Sequence, residues 1–212
     1  MTVSYAQSVD GKIATSAGLS QWISGPQSLK LAHRLRRDND AIAVGIGTVL
    51  RDNPELTCRL KRCVSPVRVV FDSNLRIPLD CKIIATAPQT PSIVFAKEPV
   101  PKAKARQLEE RGAEVRGLPA DDQGRVALKE ALESLSESGI ERLFVEGGGR
   151  LITSFLKAGL VNRMLIVTAP LIIGQGIPAV GDLGVVDLND ALRPKRVKKK
   201  KLGADLMWEF DL

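Results

Sequence analysis

The sequence predicts an α/β fold with a mostly parallel central sheet flanked by helices and an antiparallel hairpin at the C-terminal end. Three observations predict it. Short apolar, β-branched runs alternate with helical patterns along most of the chain, the order expected of strand–helix–strand units. Several of these runs are apolar almost throughout, as strands covered on both faces are: DAIAVG at Asp40–Gly45, RVVFD at Arg68–Asp72 and RLFVE at Arg142–Glu146. The final stretch instead holds two runs, Arg196–Leu202 and Leu206–Asp211, around Gly203-Ala204-Asp205, which reads as a hairpin.

The elements follow in order. Val3–Ala6 is a first strand. Ser24 can cap a helix with Pro26 in its first turn, and Leu31 and Leu35 at i, i+4 spacing carry it to about Arg37. After the strand at Asp40–Gly45, Thr48–Asp52 is a brief helical turn that stops before Pro54. Strands are expected at Arg68–Asp72, Ile83–Ala87 and Ser92–Ala96. A helix at Ala103–Arg111 closes on Gly112, a strand follows at Ala113–Arg116, and a second long helix at Ala127–Ser138 closes on Gly139. The strand Arg142–Glu146 leads through three glycines into a helix at Arg150–Ala158, and Leu165–Ala169 is a further strand.

Composition narrows the function. The 212 residues are 44% hydrophobic, enough for one domain spanning 1–212 with a sizeable core. Cys58, Cys63 and Cys81 form no CxxC pair, and their odd number fits no complete disulfide framework, so a reducing, cytoplasmic home is expected. No apolar run approaches the ~20 residues that span a bilayer, and the opening MTVSYAQS lacks the charged and apolar regions of a signal peptide. His33 is the sole histidine, so no metal site is expected, and the HxE and CxxC of a zinc deaminase are missing from this chain. The net charge is +7, yet seven of the 31 basic residues lie between Arg193 and Lys201, and the remaining 24 balance the 24 acidic ones. The charge is therefore local. No aromatic residue interrupts the lysine run, so base stacking has no platform within it, and a nucleic-acid-binding module is the weaker reading. A lysine-rich strand that discourages edge-to-edge pairing accounts for the run.

Three segments carry chemistry. Val145-Glu146-Gly147-Gly148-Gly149-Arg150 ends a strand in an acid, turns on glycine and starts a helix, which suits close approach of a phosphate to free N–H groups. It is also the composition of a plain tight turn. It departs from the dinucleotide fingerprint because Ile152 stands where a third glycine belongs, and no Gly-Lys-Ser/Thr follows to make a Walker A loop. Gly45-Ile46-Gly47-Thr48 through Asn53-Pro54 also suits a cofactor after a buried strand, with Thr48 as a hydrogen-bonding group. Asp52 gains nothing from the dipole at a helix end, so either function or plain solvation explains it. Ser8-Val9-Asp10-Gly11-Lys12 is a turn signal with a lysine, followed by Ser20-Gln21-Trp22-Ile23; by itself Lys12 reads as a solvated hairpin-turn residue, and Trp22 can be plain core.

Taken as an ordered set, these pieces resemble the reductase domain of the riboflavin-pathway bifunctional enzymes and their stand-alone archaeal and fungal counterparts. The matching pieces are Ala6 to Lys12, Ser20 to Ile23, Gly45 to Pro54, Leu56 to Arg59, Pro66 to Ser73, Val145 to Gly148, Gly159 to Val161 and Ala169 to Gly174. The resemblance implies a dihydrofolate-reductase-like fold, a cytoplasmic homodimer, NADPH as hydride donor and a pyrimidine carrying a ribosylamino 5′-phosphate as substrate. It implies cofactor contacts at Ala6, Trp22, Thr48, Asp52, Ser73, Gly148, Gly149, Arg150 and Leu151. It implies substrate contacts at Ser20, Arg36, Leu56, Arg59 and Glu146, with Lys12, Asp52 and Glu146 nearest the reacting carbon. Arg36 and Arg59 are suited to grip a phosphomonoester, and Ser73 with Arg76 can meet the 2′-phosphate of NADPH. The resemblance leaves open whether the diaminopyrimidinone or its deaminated uracil form is reduced, and whether NADPH is preferred to NADH. A folate or pterin reductase on the same fold is the other enzymatic reading; the phosphate grip speaks against it.

Overall fold

A computed structural model describes residues 1–212. The chain forms two compact units, Met1–His33 with Val145–Leu212, and Arg34–Phe144.

In the first unit, β1 (Thr2–Ser8) pairs in parallel with β8 (Arg163–Ala169), from Thr2 opposite Arg163 to Ser8 opposite Ala169. β11 (Asp205–Asp211) then runs antiparallel to β8, and β10 (Arg196–Leu202) antiparallel to β11. The C-terminal hairpin therefore forms where the sequence predicts it. Gly203 turns it with φ 69°. Helix α1 (Pro26–Asp38) starts in this unit. The buried Asp205 carboxylate accepts hydrogen bonds from Gly25 N at 2.8 Å and Ser28 Oγ at 2.6 Å, tying the start of α1 to the hairpin. Helix α6 (Gly149–Lys157) buries Leu151, Ile152, Phe155 and Leu156 along one stripe. Ile152, where a dinucleotide fingerprint would have glycine, is a fully buried core residue.

The same unit holds a small antiparallel pair that sequence patterning does not reveal. Strand β2 (Lys12–Thr15) pairs with β9 (Gly176–Pro178), with Lys12 opposite Pro178 and a register irregularity between Lys12 and Ala14.

The second unit is a parallel ladder. β3 (Ala41–Gly45), β4 (Val67–Phe71), β5 (Ser92–Lys97) and β6 (Glu114–Leu118) pair in that order. Ile42, Val44, Val69, Val70, Val94 and Phe95 have no exposure, so both faces are covered. Helix α2 (Ile46–Asp52) begins directly after β3, two residues before the predicted start. Helices α4 (Lys102–Glu109) and α5 (Leu128–Glu137) bury Ala105 and Leu108, and Ala131 and Leu135. The segment Ile83–Ala87, predicted as a strand, is instead the short helix α3 (Lys82–Ala85) and the turn after it. An apolar run this short fits either element by pattern, and buried Ile83 and Ile84 satisfy the core as adjacent residues of one helical turn. Strand β7 (Leu143–Glu146) ends the unit and leads into the triglycine turn.

Parallel pairing thus predominates, with an antiparallel C-terminal pair, as the sequence predicts. Cys58 and Cys63 are joined in a disulfide, which the odd cysteine count did not indicate; Cys81 stays buried and free. No helix is long and apolar enough to cross a membrane.

Candidate active site

The first unit brings the glycine corner and the lysine turn together. Gly147 and Gly148 both lie in the left-handed region, at φ 78° and 84°, which side-chain-bearing residues rarely adopt twice in succession. Gly149 is required for a different reason: a Cβ there would sit 2.7 Å from Pro178 O and 3.1 Å from Ala179 O. Pro178 is the register partner of Lys12, and Ala179 N donates to Gly11 O at 3.1 Å. β9 is therefore shared ground: its Pro178 meets the start of α6 and is also the register partner of Lys12. No side chain caps the N-terminal turn of α6, and space around Gly147 is open, which are the features a pyrophosphate cradle needs. Thr153 Oγ1 donates to Gly149 O at 2.6 Å and accepts from Gly181 N at 2.8 Å, fixing the first turn from behind. Arg150 is exposed beside the corner, Leu151 is buried, and Glu146 is half-buried at the end of β7.

The turn that presents Lys12 is locked by Asp10, whose place before Gly11 suggests by itself only a turn. The Asp10 carboxylate accepts from Ile173 N at 3.1 Å and Gly174 N at 2.7 Å. The Ser8 hydroxyl, then the Ile173 amide, hold the Asp10 carboxyl down to about 2. Buried Ser8 also accepts from Lys12 N through Oγ at 2.9 Å. Two separate sequence pieces, Asp10-Gly11-Lys12 and the APLIIG run, are thereby one structural feature. Ala6 is half-buried on β1 opposite Val167, Ser20 is half-buried, and Trp22 is 70% exposed. The last value rules out the plain core role for Trp22.

The second unit gathers the other candidates. Thr48 is half-buried in the first turn of α2 and Gly47 beside it is exposed to open space. Asp52 closes α2. Its residue keeps a solvent-facing surface, yet the protein around the carboxyl desolvates it and raises it above the ordinary value, with Arg51 acting weakly the other way. Arg36, late in α1, donates from Nη1 to Thr57 O at 2.9 Å, so it lies on the Leu56–Arg59 segment that the sequence pairs it with. Arg59 is largely exposed and bonds Glu55 from Nη2 to Oε2 at 2.8 Å, and Lys82 Nζ lies 3.7 Å from Oε1 of the same acid. Arg59, then Lys82, hold the Glu55 carboxyl below its usual range. Leu56 is 3% exposed and has φ 56°, so the protein core, not solvent, surrounds its side chain. Ser73 accepts from Val126 N through Oγ at 3.1 Å, which leaves its hydroxyl proton available as a donor. Arg76 is exposed.

Together the fold and this glycine corner define an α/β protein built on dihydrofolate-reductase-like lines. A dihydrofolate reductase from Enterococcus faecalis superposes with TM-score 0.54 at 15% identity over 99% of this chain and 94% of that one, a likeness of fold alone. Residues 1–207 match the family described as RibD C-terminal domain, and the chain belongs to that family. It is 40% identical over 211 residues to the riboflavin biosynthesis protein RibD of Aquifex aeolicus, covering 99% of this chain but 57% of that protein. It is 38% identical over 210 residues to the 2,5-diamino-6-ribosylamino-4(3H)-pyrimidinone 5′-phosphate reductase of Methanothermobacter thermautotrophicus, covering 97% of this chain and 94% of that one. A solved deaminase/5-amino-6-(5-phosphoribosylamino)uracil reductase from Thermotoga maritima superposes with TM-score 0.80 at 28% identity, over 99% of this chain and 55% of that chain. The chain thus spans little more than half the length of the bifunctional-type relatives and nearly all of the archaeal one.

Proposed function

We propose that this chain is an NADPH-dependent reductase of riboflavin biosynthesis, a single domain over residues 1–212. Its substrate is the pyrimidine ribosylamino 5′-phosphate, as the diaminopyrimidinone or its deaminated uracil form, and its product carries a ribityl group. The observation that carries the reading is the likeness, over nearly the full length of both chains, to the archaeal pyrimidinone phosphate reductase.

The residues fit the roles this chemistry requires. Arg36 and Arg59 meet the 5′-phosphate; both guanidinium groups belong to one segment, through Thr57 O and Glu55. Ser20, Leu56 and Glu146 complete the substrate contacts. The cradle of Gly148, Gly149, Arg150 and Leu151 holds the dinucleotide pyrophosphate, because the uncapped turn of α6 offers N–H donors and the glycines leave room for close approach. Ala6, Trp22, Thr48 and Asp52 hold the rest of the cofactor, and Ser73 with Arg76 its 2′-phosphate. When bound, NADPH supplies the hydride that C1′ of the opened ribosylamine accepts. This chain's own residues manage the proton. Asp52, whose carboxyl is raised by desolvation, is suited to carry a proton toward the ribose oxygen, with Lys12 and Glu146 as the other polar groups. Most of the acceleration comes from holding the two reactants in place. The family resemblance further supports a cytoplasmic homodimer, which light scattering of the purified protein tests directly.

The functional test follows NADPH oxidation on separate addition of the diaminopyrimidinone phosphate, the uracil phosphate and dihydrofolate. Oxidation with one of the two pyrimidine phosphates is expected. Turnover of dihydrofolate alone, or of none of the three, overturns the reading.

A further inference from the structure

We propose that Asn53 is a positioning residue that sets the arm carrying Arg59, by fastening that arm to α3. The inference rests on the reading of Arg59 as a phosphate contact.

Asn53 is the residue at which α2 stops. Its N–H donates to Val49 O at 3.0 Å and its backbone turns left-handed, at φ 40° and ψ 56°, a conformation that Asn tolerates better than most residues. Its side chain then reaches 29 residues along the chain. Oδ1 accepts from Lys82 N, the first residue of α3, at 2.8 Å. No side chain of the local N-cap residue, Cys81, serves that end of α3, so Asn53 supplies what the local sequence does not. Lys82 acts twice: its N–H holds Asn53, and its Nζ lies 3.7 Å from Glu55, the acid that bonds Arg59. Asn53, Glu55 and Arg59 are thus indexed against one residue of α3.

The frame that holds α3 is built for rigidity. Arg68, without exposure, donates from Nη2 to Ile83 O at 2.9 Å and to Thr90 O at 2.7 Å, and from Nη1 to Thr86 Oγ1 at 2.7 Å. Nη1 also lies 3.4 Å from Glu55 O, beneath the arm itself. Thr86 Oγ1 in turn donates to Lys82 O at 2.6 Å. A buried guanidinium held through both Nη atoms by carbonyl and hydroxyl oxygens, with its buried Nε left without a partner, is a costly anchor, and here every one of those partners belongs either to α3 and the turn after it or to the arm. On the arm, Leu56 is buried and is the second left-handed residue within four positions, after the exposed Asn53. The geometry of Arg59 therefore depends on contacts made outside its own segment.

The test uses Asn53→Gly, which keeps the left-handed backbone and deletes the acceptor, and Asn53→Asp, which restores an acceptor oxygen. Amide hydrogen exchange in the ligand-free protein reads the tie itself. Exchange at Lys82 and along residues 55–60 is expected to quicken in Asn53→Gly and to return toward wild type in Asn53→Asp. Kinetics read its use: Asn53→Gly is expected to raise the KM for the pyrimidine phosphate about fivefold, the worth of one ordinary hydrogen bond, with the KM for NADPH within about twofold. Unchanged exchange in Asn53→Gly overturns the inference. So does quickened exchange with an unchanged substrate KM, an equal rise in both KM values, or an Asn53→Asp protein no better than Asn53→Gly. Wild-type protein inert toward both pyrimidine phosphates overturns the functional reading and the kinetic half with it, while the exchange result still decides whether Asn53 holds the arm. Arg68→Lys with wild-type melting behaviour is the second variant; it is expected to quicken exchange at the same residues.

Discussion

Asp52 shows how much a single carboxylate's surroundings decide. It sits at the negative end of α2, where the helix dipole disfavours an acid, and the protein raises its proton affinity by desolvation. Folding therefore binds a proton more tightly than the unfolded chain does. Stability on this account falls as pH rises through the window above the unfolded value of 3.8. Asp52→Asn removes that penalty, so its melting temperature relative to wild type is expected to be more favourable at neutral pH than at about pH 3, where the wild-type carboxyl is largely protonated in the folded and the unfolded chain alike. Turnover is expected to fall by about 10²-fold or more, the usual cost of losing a proton-transfer group. A variant that turns over normally removes Asp52 from the reaction. Arg36→Ala and Arg59→Ala test the neighbouring role. Each is expected to raise the substrate KM by about tenfold or more, as the loss of a charge-assisted bond does, with far less effect on NADPH. Equal effects on both ligands remove the phosphate grip. At this scale residue types were legible but their partners were not: Arg36 stands out by type, whereas its bond to Thr57 O joins residues 21 positions apart, and Asp10 reads as turn punctuation until Ile173 and Gly174 are found on its carboxylate.

Elements that form from local pattern were the legible ones. The runs at β3, β4 and β7 are too apolar and β-branched to be surface, and α5 ends at a glycine as read. The short apolar segment at α3 carries no period in its few residues and so fits a strand as well as a helix, and β9 is illegible because Gly-Ile-Pro has no strand pattern without its partner β2. That hidden pair is what makes Gly149 irreplaceable. Gly149→Ala places a methyl 2.7 Å from Pro178 O and 3.1 Å from Ala179 O, both backbone atoms, with no flexible side chain to yield. Displacement of α6 or β9 is expected to cost about 1–3 kcal/mol of stability, read by denaturant unfolding, and to weaken NADPH binding measured by calorimetry. Unchanged affinity with lowered stability would separate the corner from the cofactor. The Cys58–Cys63 bridge closes a loop around Arg59 within the same segment that Arg36 contacts. Opening it with a dithiol, or by Cys58→Ser, is expected to raise the substrate KM by about threefold, well within the worth of closing a short loop, and to leave the NADPH KM alone. The same KM in oxidised and reduced protein shows that the loop holds Arg59 without the bridge.

For the molecule as a whole, the charge distribution is the property the sequence displays most directly, and the structure explains its placement. Five of the seven basic residues between Arg193 and Lys201 lie on β10, with Arg193 and Lys195 just before it; the strand's one neighbour is β11 and its other side pairs with nothing. Lys198 through Lys201 are all exposed, and Glu209 answers few of them, lying 4.0 Å from Lys198 and 2.8 Å from Arg163. An unpaired strand edge templates association, and like charges across two such edges oppose it. What the sequence did not display is that register sets Lys199 opposite Trp208, whose ring lies 6.4 Å from that of Phe210. The lysines thus border a half-buried aromatic pair, and removing their charge leaves both an unpaired edge and an adhesive face. Replacing Lys198, Lys199, Lys200 and Lys201 with Gln lowers the net charge from +7 to about +3. The variant is expected to scatter light increasingly with protein concentration, and more so as salt screens the remaining repulsion. Turnover per soluble molecule is expected to match wild type, because none of the four residues is among those proposed to meet substrate or cofactor. A variant that stays as soluble as wild type shows that β10 is protected by shape instead. Loss of a salt-resistant affinity for DNA in the variant, measured beside wild type, would give the lysines a binding role in place of a protective one.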